Sequence, residues 1–275
     1  RRRITGRQGF RTRNETFYLK SDNMFYWIYD IPTYQLAVLT SIVFVGFSWA
    51  GVFFFRPLMR WFILRRRSDT NDVVGYFLSC FCVFYGLLLG LIAVAAYQNY
   101  SDVESNVSSE AAALGALYED VSTYKEPHGQ NLRWLLRDFC RYTIRYGWPE
   151  YRRGLIPEGS EVRIKAFQEK LLAFEPTTTT EEIVHAESIR QFNVFLERHR
   201  VSQQAVTTGI PAIMWYVVLI GAIFNISLVW LFDIDFISHL ALGGVLSFFL
   251  GTVILLIATM DNPFRGEVSI APEAF

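Results

Sequence analysis

Four histidines, His128, His185, His199 and His239, are the first residues to test for acid–base or metal chemistry in this chain. None of them stands in an HExxH pattern or in the Cys/His spacing of a metal site. His185 shares a helix face with Glu181, four residues earlier, and that spacing makes an ordinary surface pair as readily as two ligands. Of the three cysteines, Cys80 and Cys82 lie inside an apolar run, where a thiol is a small packing residue, and Cys140 stands apart. The chain has no P-loop and no dinucleotide fingerprint, and none of its serines or aspartates stands in a nucleophile motif. These residues imply no catalytic group, no cofactor and no metal, and they argue against an enzyme.

More is written in the polar and small residues placed inside apolar stretches. Asn225 sits midway along one such stretch, where a buried amide must find a partner, either as interhelical glue or on a conduction path. Gly86 and Gly90 form a GxxxG pair, and Gly243, Ser247 and Gly251 form a second small-residue ridge. Such ridges let helix backbones approach closely. Asp233, Asp235 and His239 fall at a turn between two apolar segments. This places them at the water interface, as a solvated loop or as an acidic mouth of an oligomeric assembly.

The elements that must hold these residues are transmembrane helices. The chain has 275 residues, 52% hydrophobic and 16% aromatic, with positive mean hydropathy and zero formal net charge. That composition points to a membrane protein and gives no reason to expect nucleic-acid binding. Four segments approach the roughly 20 apolar residues that a spanning helix needs: 32–55, 73–97, 210–232 and 237–259. The first is too long and too deep in the chain for a cleaved signal. Aromatic residues Phe25, Tyr26, Trp27 and Tyr29 before it suit an interfacial belt. The last two are separated only by the FDID turn and must form an antiparallel hairpin.

The second span is the organising element. It turns polar at Gln98 without a helix breaker, and Val103, Val107, Ala111, Leu114, Leu117 and Val121 continue at helical spacing. The pattern predicts one long helix over 73–124 that leaves the bilayer as an amphipathic stalk. The polar segment 98–205 reads as a helical extramembrane domain, with helices predicted after Pro127, over 162–174 and from an N-cap at Thr180. The resulting plan is a basic N-terminal arm and interfacial segment (1–31), two spans (32–97), the domain (98–205), two spans (206–260) and a tail (261–275). The fold class is an all-α membrane protein with four transmembrane helices. Residues 1–20 carry seven basic groups and one acidic one, and read as a solvated arm; Asn14-Glu-Thr matches a glycosylation acceptor. Five arginines in the loop after the first span place that loop in the cytoplasm and the domain outside.

The segments NDVVGYF, GLLLGLIAVAAYQNYSDVESNVSSEAAALGALY, AVTTGIPAIMWYVVLIGAIFNISLVWLFD and MDNPFRGEVSIAPEAF resemble the bacterial bestrophin-like family, from about Pro32 to the last residue. A more distant similarity to true bestrophins rests on four spans with a helical domain between the second and third. It implies a homo-oligomeric, pentameric, multi-pass channel of the cell (inner) membrane that conducts chloride or another small anion, with an apolar neck formed by the second span. Carried onto this sequence, the neck falls on Val83 and Leu87, with Leu91 and Val94 next along, or on Phe84 and Leu88 in a register shifted by one. The resemblance places the domain in the cytoplasm, against the loop arginines. No acidic run matches a bestrophin calcium clasp, and AAYQNYSD stands where the tryptophan–arginine cluster follows the bestrophin neck. The competing expectation is a non-conducting sensor or scaffold whose domain binds a ligand or partner.

Overall fold

The structure, a computed structural model, describes Tyr29 and residues 31–62 and 70–275. The basic arm, the Asn14 acceptor, the aromatic residues Phe25, Tyr26 and Trp27, and the loop arginines Arg65, Arg66 and Arg67 lie outside the described residues.

Every regular element described is helical. In chain order they are α1 (Thr33–Phe62), α2 (Thr70–Ser122), α3 (His128–Tyr142), a π-helical turn (Thr143–Gly147), α4 (Trp148–Arg152), α5 (Gly159–Leu172), α6 (Thr179–Thr207), α7 (Ala212–Val229) and α8 (Phe236–Asp261), with a short 3₁₀ turn at Pro272–Ala274. Four helical stretches are long and apolar enough to cross a membrane. We take the spans as the apolar parts of α1, α2, α7 and α8. At about 1.5 Å per residue, the 53 residues of α2 run for roughly 80 Å, more than twice the ~30 Å hydrocarbon core.

One face of α2 is buried along nearly its whole length. Tyr85, Leu89, Ile92 and Ala96 pack in the membrane core with Val52 of α1, Val218, Ala222 and Ile226 of α7, and Leu250, Ile254 and Ile257 of α8. Val103 and Val107 then enter a junction cluster with Trp148, Tyr151, Val206, Phe264 and Ile270. Leu114, Leu117 and Val121 enter the domain core beside Leu132, Leu136, Phe139, Phe167, Phe192 and Phe195. Residues spaced three or four apart return to the same side of a helix, so a single unbroken helix serves all three cores. α6 lies along the extramembrane half of α2, and α1 packs on α8.

Local rules set the ends of the elements. Thr178, not Thr180, caps α6: its hydroxyl accepts from the Glu181 amide at 3.2 Å. Glu181 reaches back to the amide of Thr177, one residue before the cap, at 2.8 Å, a contact close to but not the same as that of a capping box. The run of four threonines hid which of them begins the helix. α5 starts at Gly159, ahead of the expected 162, and its first residue has no room for a side chain, since a Cβ at Gly159 would meet the Tyr142 hydroxyl at 2.2 Å. α8 is capped by Asp235, whose carboxylate accepts from the Ser238 amide at 2.9 Å.

At the far tip of the domain Tyr124, His128, Phe174 and His185 form an aromatic cluster; the Tyr124 hydroxyl lies 2.8 Å from His185 Nδ1. Burial, reinforced by the nearby Lys170 and His185, holds the His128 imidazole below its ordinary value of 6.5. A histidine depressed in the folded state binds its proton more readily when unfolded. It therefore contributes stability above the unfolded value, and that stability is lost as the pH falls through the lower folded value. Thermal unfolding of the protein in lipid should show the melting temperature falling from pH 7.5 to pH 5. His128→Asn should flatten that dependence, and an equally steep fall in the variant would contradict this account.

Candidate functional site: the outer face of the second span

Opposite its buried row, α2 presents a second face that none of the described residues covers. Val83 is 71% exposed, Phe84 69%, Leu87 63%, Leu91 62% and Val94 54%. Leu88 is different: it is half-buried and packs against the membrane core. Of the two neck registers, the one through Val83, Leu87, Leu91 and Val94 lies outward, and the shifted one is split between outward Phe84 and inward Leu88. Gly86 and Gly90 share the open side, and a Cβ built on either meets nothing within 4 Å. The close packing expected at this GxxxG pair is therefore not made with any described helix of the chain. The glycines leave a shallow, smooth wall on the open face.

The outward face does not stop at the bilayer. Gln98, Ser101, Ser105, Ser108, Ala112, Gly115 and Glu119 are all exposed and extend the same line into the stalk. Most of them are short side chains, whereas a helix face that meets only water normally carries long charged ones.

The opposite face fixes how this wall is aimed. The Tyr85 hydroxyl donates to the Val218 carbonyl at 2.6 Å. The Tyr85 ring lies on Gly221, where a Cβ would come within 2.3 Å of it. One turn away, the Cys82 thiol donates to Asn225 Oδ1 at 3.3 Å. Asn225 is thus turned into the bundle, 2% exposed, between α2 and α7. The second ridge packs on α1: a Cβ at Gly243 would lie 2.8 Å from Ser48 Oγ and one at Gly251 3.3 Å from the Phe44 ring, and Ser247 is buried between them. At the α7–α8 turn, the Asn71 side chain brackets the backbone of Asp233, accepting from its amide at 2.8 Å and donating to its carbonyl at 2.9 Å. The turn therefore lies at the same end of the bundle as the start of α2. His239 is a correction to the expected solvated turn. It is fully buried and donates through Nε2 to the Val229 carbonyl at 2.9 Å, because the first turn of α8 folds back onto the end of α7.

At the opposite end of the spans, Asp261 accepts from the Ile210 amide and from Trp215 Nε1, the latter at 3.3 Å. This carboxylate ties the end of α8 to the segment that opens α7. The tail then returns to the domain, where Trp148 Nε1 donates to the Ile270 carbonyl at 3.0 Å. Neither contact was foreseeable from spacing, since each joins residues far apart in the chain. The acid at the end of the last apolar run was the one available sign of the first. Among the described residues, no group of three or more His, Cys, Asp or Glu side chains could hold a metal.

The arrangement is that of a four-span helical membrane protein with a helical domain inserted between its second and third spans and a long two-faced helix joining the two parts. A family model, the Bestrophin-like domain, matches residues 42–275, and the chain belongs to that family. Two solved structures of a bacterial bestrophin homologue from Klebsiella pneumoniae, both single-substitution variants, share the fold. They are 13% and 14% identical in sequence, each with a TM-score of 0.58, covering 85% and 86% of this chain and 93% and 95% of theirs. A crystal structure described as a membrane protein variant is 12% identical with a TM-score of 0.57, covering 86% of this chain and 93% of its own. No curated protein matches.

The contact that aims α2 can be tested directly. Gly221→Ala places a methyl inside the Tyr85 ring, and overpacking of this kind costs about 1–3 kcal/mol. The melting temperature of the variant in lipid should fall by several degrees. An unchanged value would show that Tyr85 does not need this approach.

Proposed function

We propose that the protein is a homo-oligomeric ion channel, pentameric by analogy with the bestrophins, in which the outer face of α2 from each copy surrounds the conduction axis. The observation that carries this reading is the continuity of the uncovered face. Apolar residues exposed on α1, α7 and α8 are accounted for by lipid, but lipid cannot cover the part of α2 that lies beyond the bilayer. A wall of Val83, Leu87, Leu91 and Val94 leading into Gln98, Ser101, Ser105 and Ser108 has the sequence of environments of a dry neck opening into a wetted vestibule. Gly86 and Gly90, open within one chain, give neighbouring copies of α2 room to approach. In such an assembly Asp233 and Asp235, at the end where α2 begins, would flank the mouth.

The resemblance to bestrophins implies a small anion such as chloride. A different observation favours a cation. α2 carries Asp72, Asp102, Glu104, Glu110, Glu119 and Asp120 and no lysine or arginine, and of these Asp102, Glu104 and Glu119 are exposed along the stalk. A conduit lined by carboxylates concentrates cations.

Purified protein in planar bilayers decides both points. Discrete currents are expected, and the sign of the reversal potential in a KCl gradient names the ion. Leu87→Ala should change single-channel conductance by about twofold or more, since a hydrophobic constriction controls wetting of the pore. Leu88→Ala should leave conductance unchanged and lower thermal stability. Absence of current, or a Leu87→Ala variant that conducts as the parent does, would contradict the assignment and leave a non-conducting scaffold.

A further inference from the structure

The buried row of α2 contains one charged residue, Glu110, and its partner is a histidine. Glu110 is 3% exposed and His199 of α6 is 2% exposed. His199 Nδ1 lies 2.7 Å from Glu110 Oε1, and His199 Nε2 lies 3.0 Å from Gln203 Nε2. An amide nitrogen can only donate, so the ring must accept at Nε2 and hold its proton on Nδ1, donating it to the carboxylate. The ring is then neutral, and an ionised carboxylate beside it would leave one uncompensated negative charge in the protein interior, an expensive arrangement.

A proton added at Nε2 would remove that charge. The imidazolium would remain in contact with the rings of Phe139 (5.4 Å, edge-to-face) and Phe195 (5.8 Å, stacked), and the face of the stacked Phe195 ring favours a cation. It would also put two donors, Nε2–H and the Gln203 amide, against each other. Gln203 would have to turn its carbonyl oxygen to the ring. That turn disturbs the next group, because the Tyr151 phenol of α4 faces Gln203 and Ser160 of α5. Burial, and Glu110 close by, raise the Tyr151 phenol, so it remains an O–H donor, and the buried Ser160 hydroxyl, which has no hydrogen-bond partner among the described residues, is the acceptor left to it. The Ser202 hydroxyl, buried beside His199, is without a partner.

The polar groups in contact with His199 are thus Glu110 from α2 and Gln203 from α6, and Tyr151 from α4 and Ser160 from α5 follow beyond Gln203. α3 contributes the Phe139 ring and, behind Tyr151, the Tyr142 phenol. The charged neighbours of His199 on its own helix, Arg198 and Arg200, are exposed. Arg163 of α5 is held by Asp138 at 2.7 Å and lies over the Tyr142 ring at 4.0 Å.

We propose that the Glu110–His199–Gln203 cluster is a proton-binding site in which protonation of His199 Nε2 turns the Gln203 amide and re-forms the contacts of Tyr151. The proton comes from solvent and no covalent bond other than N–H forms. The site ties α2, which enters the membrane as the second span, to α6, which leads into the third. It thereby makes the junction between domain and membrane sensitive to pH. The inference stands apart from conduction, since neither measurement below reads flux.

The full chain in lipid, labelled with ¹⁵N-imidazole histidine, reports the charge of His199 by magic-angle-spinning NMR. Its signal should pass from neutral to cationic between about pH 8 and 5, the interval in which an imidazole can change charge. Over the same interval, hydrogen exchange in residues 148–162 and 199–206, corrected for its intrinsic pH dependence, should change by about tenfold. His199→Gln should abolish that step. Gln203→Met should keep the ring titration and lose the step, and serves alone if His199→Gln does not fold. A ring that keeps one charge state throughout, or a step that persists in either variant, would overturn the proposal.

Discussion

The structure depends on one constraint: α2 must present the same two faces over its full length, inside the membrane and outside it. Its buried row, from Tyr85 through Ile92, Val103 and Leu114 to Val121, returns every three or four residues and meets three successive cores. Any interruption of the helix would rotate the stalk relative to the span and put Leu117 or Leu89 into solvent or lipid. Each such side chain contributes about 1.5–3 kcal/mol when buried, and the row holds many. The unbroken helix is therefore enforced by packing at both ends rather than by local propensity in the polar middle.

Once the inner row is fixed, the outer row is fixed too. Tyr85 on Gly221 and Cys82 on Asn225 set the rotation of α2 against α7, and Leu87 faces outward as a consequence. The same rigid connection means that events in the domain are felt in the membrane. α6 packs along the stalk and continues through the Thr208–Pro211 segment into α7, and Asp261 clamps that segment to the end of α8. The domain is thus held to the spans by α2, by α6 and by the returning tail.

The four spans, the stalk and the helical domain were legible in the sequence because each follows from the local periodicity of apolar residues. Val103, Val107, Ala111, Leu114, Leu117 and Val121 were expected on one face; all are buried except the half-buried Ala111, the first two in the junction cluster and the last three in the domain core. What the sequence did not disclose depends on which helix lies opposite. The pairing of His199 with Glu110 joins residues 89 positions apart, and a lone histidine on an apolar face gives no sign of its partner. The buried place of His239 depends on how α8 folds back on α7, and spacing had left it at a wet turn. The GxxxG pair shows the same limit in another way. Gly86 and Gly90 mark a surface shaped for close approach, yet no described residue of the chain approaches it.

The account turns on that uncovered face being closed by further copies of the protein. Native mass spectrometry of the protein released from lipid nanodiscs measures this most directly. A closed ring of several copies, five by analogy with the bestrophins, is the predicted result. A monomer or a dimer, neither of which can enclose an axis with α2, would contradict it.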